Sequence, residues 1–594
     1  MNTNWDLTNI YADEADFEKE VTRLKEVLTP KVASLKGKLH TEEGFKDYLD
    51  ICRDIESSVS RAFVYASTRS DLDKRNTKNG EALSRIQLAY QGFASASSFA
   101  DPEILSLGKE TVFAFLKKHP EYAEFDLSFD RLFREADHVL SADKEKLLSA
   151  YAPLQNKGAD LYSMLAVADG KEHEANLSNN EMAKVSQNNW VSLVSKAEKQ
   201  EDRQAIFEAL YEEFDEKKNT FGEIYNTTLQ GELAAMKARG YSSILEEHLY
   251  GNNIPLSVFT NLIEVASTHV EALHKYYRIR AKYLGLKKHR SYDRFVELAK
   301  SDKKYTYEEA LELFYHSIEN YSEDYQKKAR EVTKEGFVDV YPSSGKRSGA
   351  YSTGGNGVHP YILLNFNGTL DDVFTLAHES GHSVHTLYSD ESEPLMKQGY
   401  TIFVAEIAST FNEHNLLDYL LASGELDRNS KIALLQKAID EIVATFYRQT
   451  LFAQYEYEIS KLVEKGEPIN HEVLSEEMIK LYKTYYGIDI REEKVKPLVW
   501  AYIPHLFYTP FYVYQYATSF TASMLLYENM KEKKPRAFDA FVDLLRSGGS
   551  DYPVNLVKKA GVDLTKKDTF LAVTKRMEEL VDELERTLFD DSSR

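Results

Sequence analysis

The chain has 594 residues, 43% of them hydrophobic, a formal net charge of −22 and a single cysteine, Cys52. That length and apolar content sustain a large buried core, and negative charge spread along the chain argues against nucleic acid or anionic membrane as the main partner. One cysteine excludes an intramolecular disulfide and a thiolate zinc cage, and it fits a reducing setting. Met1-Asn-Thr-Asn-Trp5-Asp6 has neither the basic start nor the apolar run of a secretory leader, and no apolar stretch reaches the roughly eighteen residues of a membrane span. A cytoplasmic protein is expected.

From Asp13 to about Gln200 the pattern has helical period with charged outer faces, as in Phe17–Leu28, Glu42–Ile51 and Ser84–Phe93, with Pro102 and Pro153 between helices. No metal-ligand spacing occurs there; His138, His173 and Cys52 stand alone and read as structural or surface residues. Residues 1–200 are therefore expected to form a helical domain that walls a site made elsewhere, and residues 201–594 the catalytic domain. Helical pattern continues through Ile206–Phe214 and Phe221–Lys237, which Gly240 suits as an end, and through Leu256–Leu284. No solenoid repeat is present.

The texture changes at Gly336. Phe337-Val-Asp-Val-Tyr341 and Tyr361-Ile-Leu-Leu-Asn-Phe366 predict short strands separated by the glycine-rich loop 348–357, and Asn367-Gly368 is a turn signal. Gly345-Lys346 lacks the earlier glycine of a phosphate loop, since Val340 occupies its place. A small sheet is expected just before the next helix. Its exposed edge could hold an extended peptide by main-chain hydrogen bonds; the alternative is a hairpin that only buttresses the helix.

That next helix carries His378-Glu379-Ser-Gly-His382, an HExxH motif. Residues i and i+4 share a helix face about one turn apart, so His378 and His382 can hold one zinc ion. Glu379 lies beside the first ligand, where it can act as general base toward a water on the ion. An accidental HExxH has a chance of only a few per cent, roughly, in such a chain. Helical context strengthens the reading: Asp371-Asp372 can cap the start, and Val373, Phe374, Leu376 and Ala377 give apolar packing surface.

A catalytic zinc normally takes a third protein ligand. Glu406 is surrounded by Phe403, Val404, Ala405, Ile407 and Ala408; an acid in so apolar a setting needs a partner such as a metal ion. Glu413, seven residues on, lies on the same face and suits the outer N–H of a ligand histidine. His385 competes for the ligand role. A continuous helix suits a histidine pair better than a triad, which assigns His385 to the surroundings of the metal or to the pocket wall.

Further on, Trp500–Tyr516 is unusually aromatic. His505, Tyr508, Tyr512 and Tyr516 follow a three-four-four step and could share one helical face if Pro510 starts or kinks a helix. Imidazole and phenol donors are what a developing oxyanion needs; an aromatic core helix is the alternative.

These residues resemble the thimet-oligopeptidase-like zinc metallopeptidases, in particular the oligoendopeptidase F branch. The resemblance rests on His378-Glu379-Ser-Gly-His382, Phe403-Val-Ala-Glu406-Ile-Ala-Ser-Thr-Phe-Asn-Glu413 and the His505–Tyr516 segment. Ala238-Arg-Gly-Tyr241, Ser348-Gly-Ala-Tyr351, Pro360–Phe366, Ser547-Gly-Gly-Ser550 and Gly561-Val-Asp563 add to it. It covers essentially the whole chain. It implies a mainly α fold, a large helical ellipsoid with a deep central channel and a small β-sheet beside the HExxH helix. It also implies one Zn2+ held by His378, His382 and Glu406, Glu379 as general base, and short peptides as substrates. His505 and Tyr512, with Tyr508, are the implied oxyanion donors; spacing in this segment differs between branches. Other zinc-peptidase patterns fit worse. Aminopeptidase and thermolysin-like spacings would place the ligand glutamate at Thr401 or Ile402, and the metzincin pattern needs Gly and His where His385 and Tyr388 stand. The sequence thus points to a zinc endopeptidase for oligopeptides, with an exopeptidase of carboxypeptidase type and a non-catalytic peptide binder as rivals.

Overall fold

A computed structural model of the chain describes residues 2–155, 157–300, 303–424 and 426–590. The chain is 71% helix and 4% strand, the mainly α fold with a small sheet that the periodicity predicts. No helix among the described residues is long and apolar enough to cross a membrane. Two compact units form, each from separated stretches: Met1–Asp137, Lys303–Ala422 and Leu526–Val562 in one, His138–Asp302, Ser423–Leu525 and Asp563–Arg594 in the other.

In the first unit, α1 (Glu42–Leu72) and α2 (Thr77–Ser97) pack together. Thr41 caps α1 by accepting from the Gly44 N–H. Their apolar faces, with Phe17, Leu49, Ala62 and Ile86, join the inner residues Tyr361 and Leu363 of a three-stranded sheet in one core. That sheet has the order β1 (Val338–Asp339), β3 (Val358–Leu363), β2 (Tyr351–Gly355), with β3 parallel to β1 and antiparallel to β2. The central strand is apolar and buried at all but one position, as a strand covered on both faces must be. The N-terminal segment is tied to it: the Trp5 indole donates to the Ile362 carbonyl (2.8 Å), and the Val340 N–H to the Thr3 carbonyl (3.0 Å).

The glycine-rich stretch expected to be a loop contains strand β2. Gly354 explains the difference. A Cβ there would lie 2.6 Å from the Pro360 Cα, so the two strands approach as closely as they do only because no side chain intervenes. A register shift between Thr353 and Gly355 accompanies it. Glycine marks both loops and close backbone approach, and composition alone does not separate the two.

Helix α3 (Leu370–Ser392) follows at once and packs mainly against α4 (Ile402–Ala422), and also against α5 (Ala537–Arg546). Its cap is Thr369 rather than Asp371 or Asp372. The Thr369 hydroxyl accepts from the Asp372 N–H (3.2 Å), and the Asp372 carboxylate accepts from the Thr369 N–H (2.8 Å), a reciprocal capping box. The α3–α4 seam is closest at Gly381. A Cβ there would sit 2.6 Å from the Ala408 carbonyl oxygen and 2.7 Å from the Ser409 Cα, both backbone atoms that cannot swing away. Gly381→Ala gains helix propensity of about 1 kcal/mol, yet overpacking of this kind costs about 1–3 kcal/mol. The expected result is a lower urea midpoint together with reduced metal affinity, because the seam carries the residues described below. An unchanged midpoint with full metal binding would show that the helices can separate freely.

The second unit is also helical. Gln200–Glu216 and Lys218–Arg239 follow the predicted runs, and the latter ends at Gly240 with φ 78°. The stretch expected to be one helix from 256 to 284 is two, Leu256–Thr268 and Glu271–Tyr283. At the break the Thr268 hydroxyl turns back to the Glu264 carbonyl (2.6 Å), a side-chain bond that competes with helix continuation. A hairpin, His173–Asn176 paired with Met182–Val185, interrupts the mostly helical pattern of residues 13–200. Its turn is Ser178-Asn179-Asn180, with Asn180 at φ 66°, a signal that was available in the sequence.

Candidate metal centre and catalytic residues

Helices α3 and α4 bring His378, His382 and Glu406 together. The Nε2 atoms of the two histidines are 3.1 Å apart, and the Glu406 Oε2 lies 3.4 Å from the first and 3.6 Å from the second. Ligand bonds of about 2.0–2.1 Å at tetrahedral angles place donor atoms roughly 3.3 Å apart, so the triangle fits one face of a zinc tetrahedron. The donor set of two imidazoles and a carboxylate suits a catalytic zinc, with a fourth position left open. His378 donates its Nδ1–H to the Glu413 carboxylate one layer further in, which leaves Nε2 to face the centre.

The charges are arranged unequally. Burial pulls His378 down, but the carboxylates of Glu413, Glu379 and Glu406 outweigh it and push the imidazole up to about 10. His382 is held well below its ordinary value by burial and by the neighbouring His378 and His385. To hold a cation, His378 would have to give up the proton that these carboxylates stabilise, as ligation by imidazole generally requires. Glu413→Gln keeps an acceptor for Nδ1–H but removes the charge. Changes of this kind lower metal affinity by about 10–100-fold, which competition against a fluorescent chelator would measure; unchanged affinity would reduce Glu413 to a packing residue.

Glu379 is 6% exposed and sits next to the triangle. Burial pushes its carboxyl up to about 7, and the backbone N–H of Ser352 on β2 donates to it. Ser352 also meets Ser383 of α3 through their hydroxyls (2.8 Å), so the outer strand is fastened to the helix at the level of Glu379. Ala350, Ser352, Gly354, His378, Glu379 and Glu406 are among the residues that line an open cleft of about 480 Å³. β2 is the edge strand of its sheet, and the cleft runs along it.

His385 does not join the triangle. Its ring lies flat on Tyr400 (3.7 Å between centroids, 8° between planes), and neither ring nitrogen has a hydrogen-bond partner among the described residues. Burial pushes it down to about 3, so it packs as a neutral aromatic ring. Tyr400 in turn reaches Thr386 through its hydroxyl (2.9 Å) and lines the cleft. Sequence reasoning missed Tyr400 and Ser352; nothing in their local pattern marks them. A deeper layer locks the seam, with Asn412 donating to the Ala377 carbonyl (3.1 Å) and accepting from the Tyr325 hydroxyl (2.8 Å).

His505, Tyr508, Tyr512 and Tyr516 lie in the second unit. They do not share one helical face. A short helix, His505–Tyr508, ends before Pro510, and a new one begins at Tyr514. Phe511 between them has φ 55°, and its N–H donates to the buried Glu456 (2.7 Å). The fold nonetheless stacks the His505 and Tyr512 rings (6.4 Å, 11°) and sets Tyr516 edge-on to Tyr512 (5.5 Å). Tyr508 is exposed and meets Tyr162 edge-on (5.4 Å). Burial and the charge of Arg448 lower His505 below its ordinary value, so it is a neutral N–H donor near pH 7.

Residues 193–576 match the model of peptidase family M3, and residues 103–171 that of oligopeptidase F. The chain is 33% identical to oligopeptidase PepF of Bacillus subtilis (strain 168), over 98% of this chain and 87% of that protein. It is 31% identical to group B oligopeptidase PepB of Streptococcus agalactiae, over 98% and 96% of the two chains. Among solved structures it resembles oligoendopeptidase-F from Enterococcus faecium, with a TM-score of 0.75 and 28% identity over 97% of this chain and 99% of the other.

Proposed function

Since the chain belongs to peptidase family M3 and is a metallo-oligopeptidase, we propose that it is a cytoplasmic zinc endopeptidase that cuts internal bonds of short oligopeptides. The observation that carries this reading is the donor triangle of His378, His382 and Glu406, at 3.1–3.6 Å, with the buried Glu379 beside it and a strand edge along the same cleft. His378, His382 and Glu406 would hold the ion. When bound, zinc polarises a carbonyl and lowers the pKa of water to about 7.

Glu379 takes the proton from the attacking water and returns it to the departing amine. In the metal-free site burial pushes this carboxyl up to about 7, the direction that suits a group that both takes and returns a proton. The edge of β2, through Ala350–Gly354, pairs with the extended peptide by main-chain hydrogen bonds and presents one carbonyl to the centre. His505 and Tyr512, with Tyr508, donate hydrogen bonds to the tetrahedral oxyanion; the neutral state of His505 and its stacking on Tyr512 support that role.

The decisive experiment uses a peptide of about ten residues, a length suited to an extended-strand site, blocked at both ends and followed by mass spectrometry. Internal cuts are expected that stop with chelator and return with added zinc. An intact blocked peptide from zinc-loaded protein would refute endopeptidase action and leave an exopeptidase; cuts indifferent to chelator would refute the metal.

A further inference from the structure

The second unit holds a partly enclosed cavity whose walls include none of the residues placed at the metal centre or at the oxyanion. It leaves about 40 Å³ for the centres of water-sized groups, more than one water requires. Its walls are aromatic, with Trp190, Phe207, Tyr211, Tyr482 and Tyr486 among them. Three cations also line it, Arg294, Arg448 and Lys496, and no carboxylate does.

None of these three cations has a hydrogen-bonded or ion-paired acceptor among the described residues. Lys496 is 9% exposed and lies over the rings of Phe207, Tyr211 and Tyr482, its ammonium 5.1–5.8 Å from their centroids. Arg294 rests on Phe295 and Arg448 on Phe452. Glu493, whose charge acts on Lys496, already accepts from the Ser291 N–H (3.0 Å) and hydroxyl. Burial first, and then the two guanidinium charges, push Lys496 down to about 7 despite Glu493. The Tyr211 and Tyr482 phenols are held above their ordinary value by burial and stay protonated as donors. The cavity is thus rich in donors and lined by guanidinium charge, with no carboxylate in its walls. Buried cations are ordinarily paired, and guanidinium forks fit planar oxyanions best.

We propose that this cavity is a binding site for a small free carboxylate of acetate size, whose carboxylate bridges Arg294, Arg448 and Lys496 and whose methyl end lies against the aromatic walls, since about 40 Å³ is room for a few water-sized groups and not for a ring or a peptide end.

Titration calorimetry on the metal-loaded full chain tests this with acetate, its neutral counterpart acetamide, and inorganic phosphate. Acetate is expected to bind one site saturably, with acetamide and phosphate at least about tenfold weaker, the scale of a charge-assisted hydrogen bond. Arg448→Met and Lys496→Met should each weaken acetate by a similar factor. Both variants remove a cation that has no ion-pair partner among the described residues, so their thermal midpoints should hold or rise, which separates lost binding from lost folding. Acetate no tighter than acetamide, phosphate preferred over acetate, or binding unchanged in folded Arg448→Met (the signal then arising at the metal) would each overturn the site.

Discussion

Glu379→Gln is expected to lower kcat by about 10²–10⁴-fold, the range of a lost general base, while the protein keeps its metal and its fold. Gln has the same shape, and its amide oxygen can accept the Ser352 N–H that the carboxylate now accepts. The donor triangle of His378, His382 and Glu406 does not involve Glu379, so metal content after dialysis should match the parent. KM should change little, because the proton transfer belongs to the transition state and not to the bound peptide. A purely structural Glu379 predicts the reverse: a neutral amide relieves the burial that now raises the carboxyl, so stability would rise and turnover would hold. Activity within a factor of about ten of the parent would remove Glu379 from the role of base.

Much of this centre was legible in the sequence because it depends on helix geometry. The four-residue spacing of His378 and His382, the apolar neighbours of Glu406 and the seven-residue step to Glu413 all survive folding unchanged, since α3 and α4 run unbroken through them. What was not legible depends on approach between distant segments. Gly381 looks like a weak point of a helix until the Ala408 carbonyl is found where its Cβ would be. Ser352 reaches Glu379 only because β2 forms, and β2 forms in a stretch whose glycines argue for a loop. Tyr400 lies under His385 because the chain turns back between α3 and α4. The aromatic segment failed as a helix for a traceable reason. Pro510 disfavours helix in the residue before it, and the chain then passes through a left-handed Phe511, a costly conformation for an aromatic residue. It is held there by Glu456, whose carboxyl burial pushes up to about 8. A residue more than fifty positions away sets the path of Tyr508–Tyr516, and no local periodicity contains that information.

Glu406→Ala is expected to lose the metal and, with it, activity. Two facing imidazoles remain, and a pair of neutral ligands holds a divalent cation far more weakly than a pair plus a carboxylate. The loss should exceed the about 10–100-fold typical of changes one layer further out, so this variant should lie clearly beyond Glu413→Gln on the same chelator-competition scale. The apo fold should survive. Glu406 is only partly buried, and the hydrogen bond that its carboxylate accepts from the Ser409 hydroxyl (3.2 Å) is replaceable, since that hydroxyl also reaches the Glu406 carbonyl (3.0 Å). Thermal unfolding with and without zinc then gives an independent reading. The parent should gain about 2.7 kcal/mol at a zinc concentration one hundred times Kd, and Glu406→Ala should gain almost nothing at that concentration. His385 decides the interpretation. If the variant kept stoichiometric metal, the third ligand would have to come from elsewhere on α3, and His385, four-square on Tyr400 with both nitrogens unpartnered among the described residues, would have to leave its stack to supply it. The double change Glu406→Ala with His385→Ala would then lose metal where the single change did not. Loss of metal in the single variant, with His385 intact, makes Glu406 the third donor and leaves His385 as the aromatic floor beneath the centre.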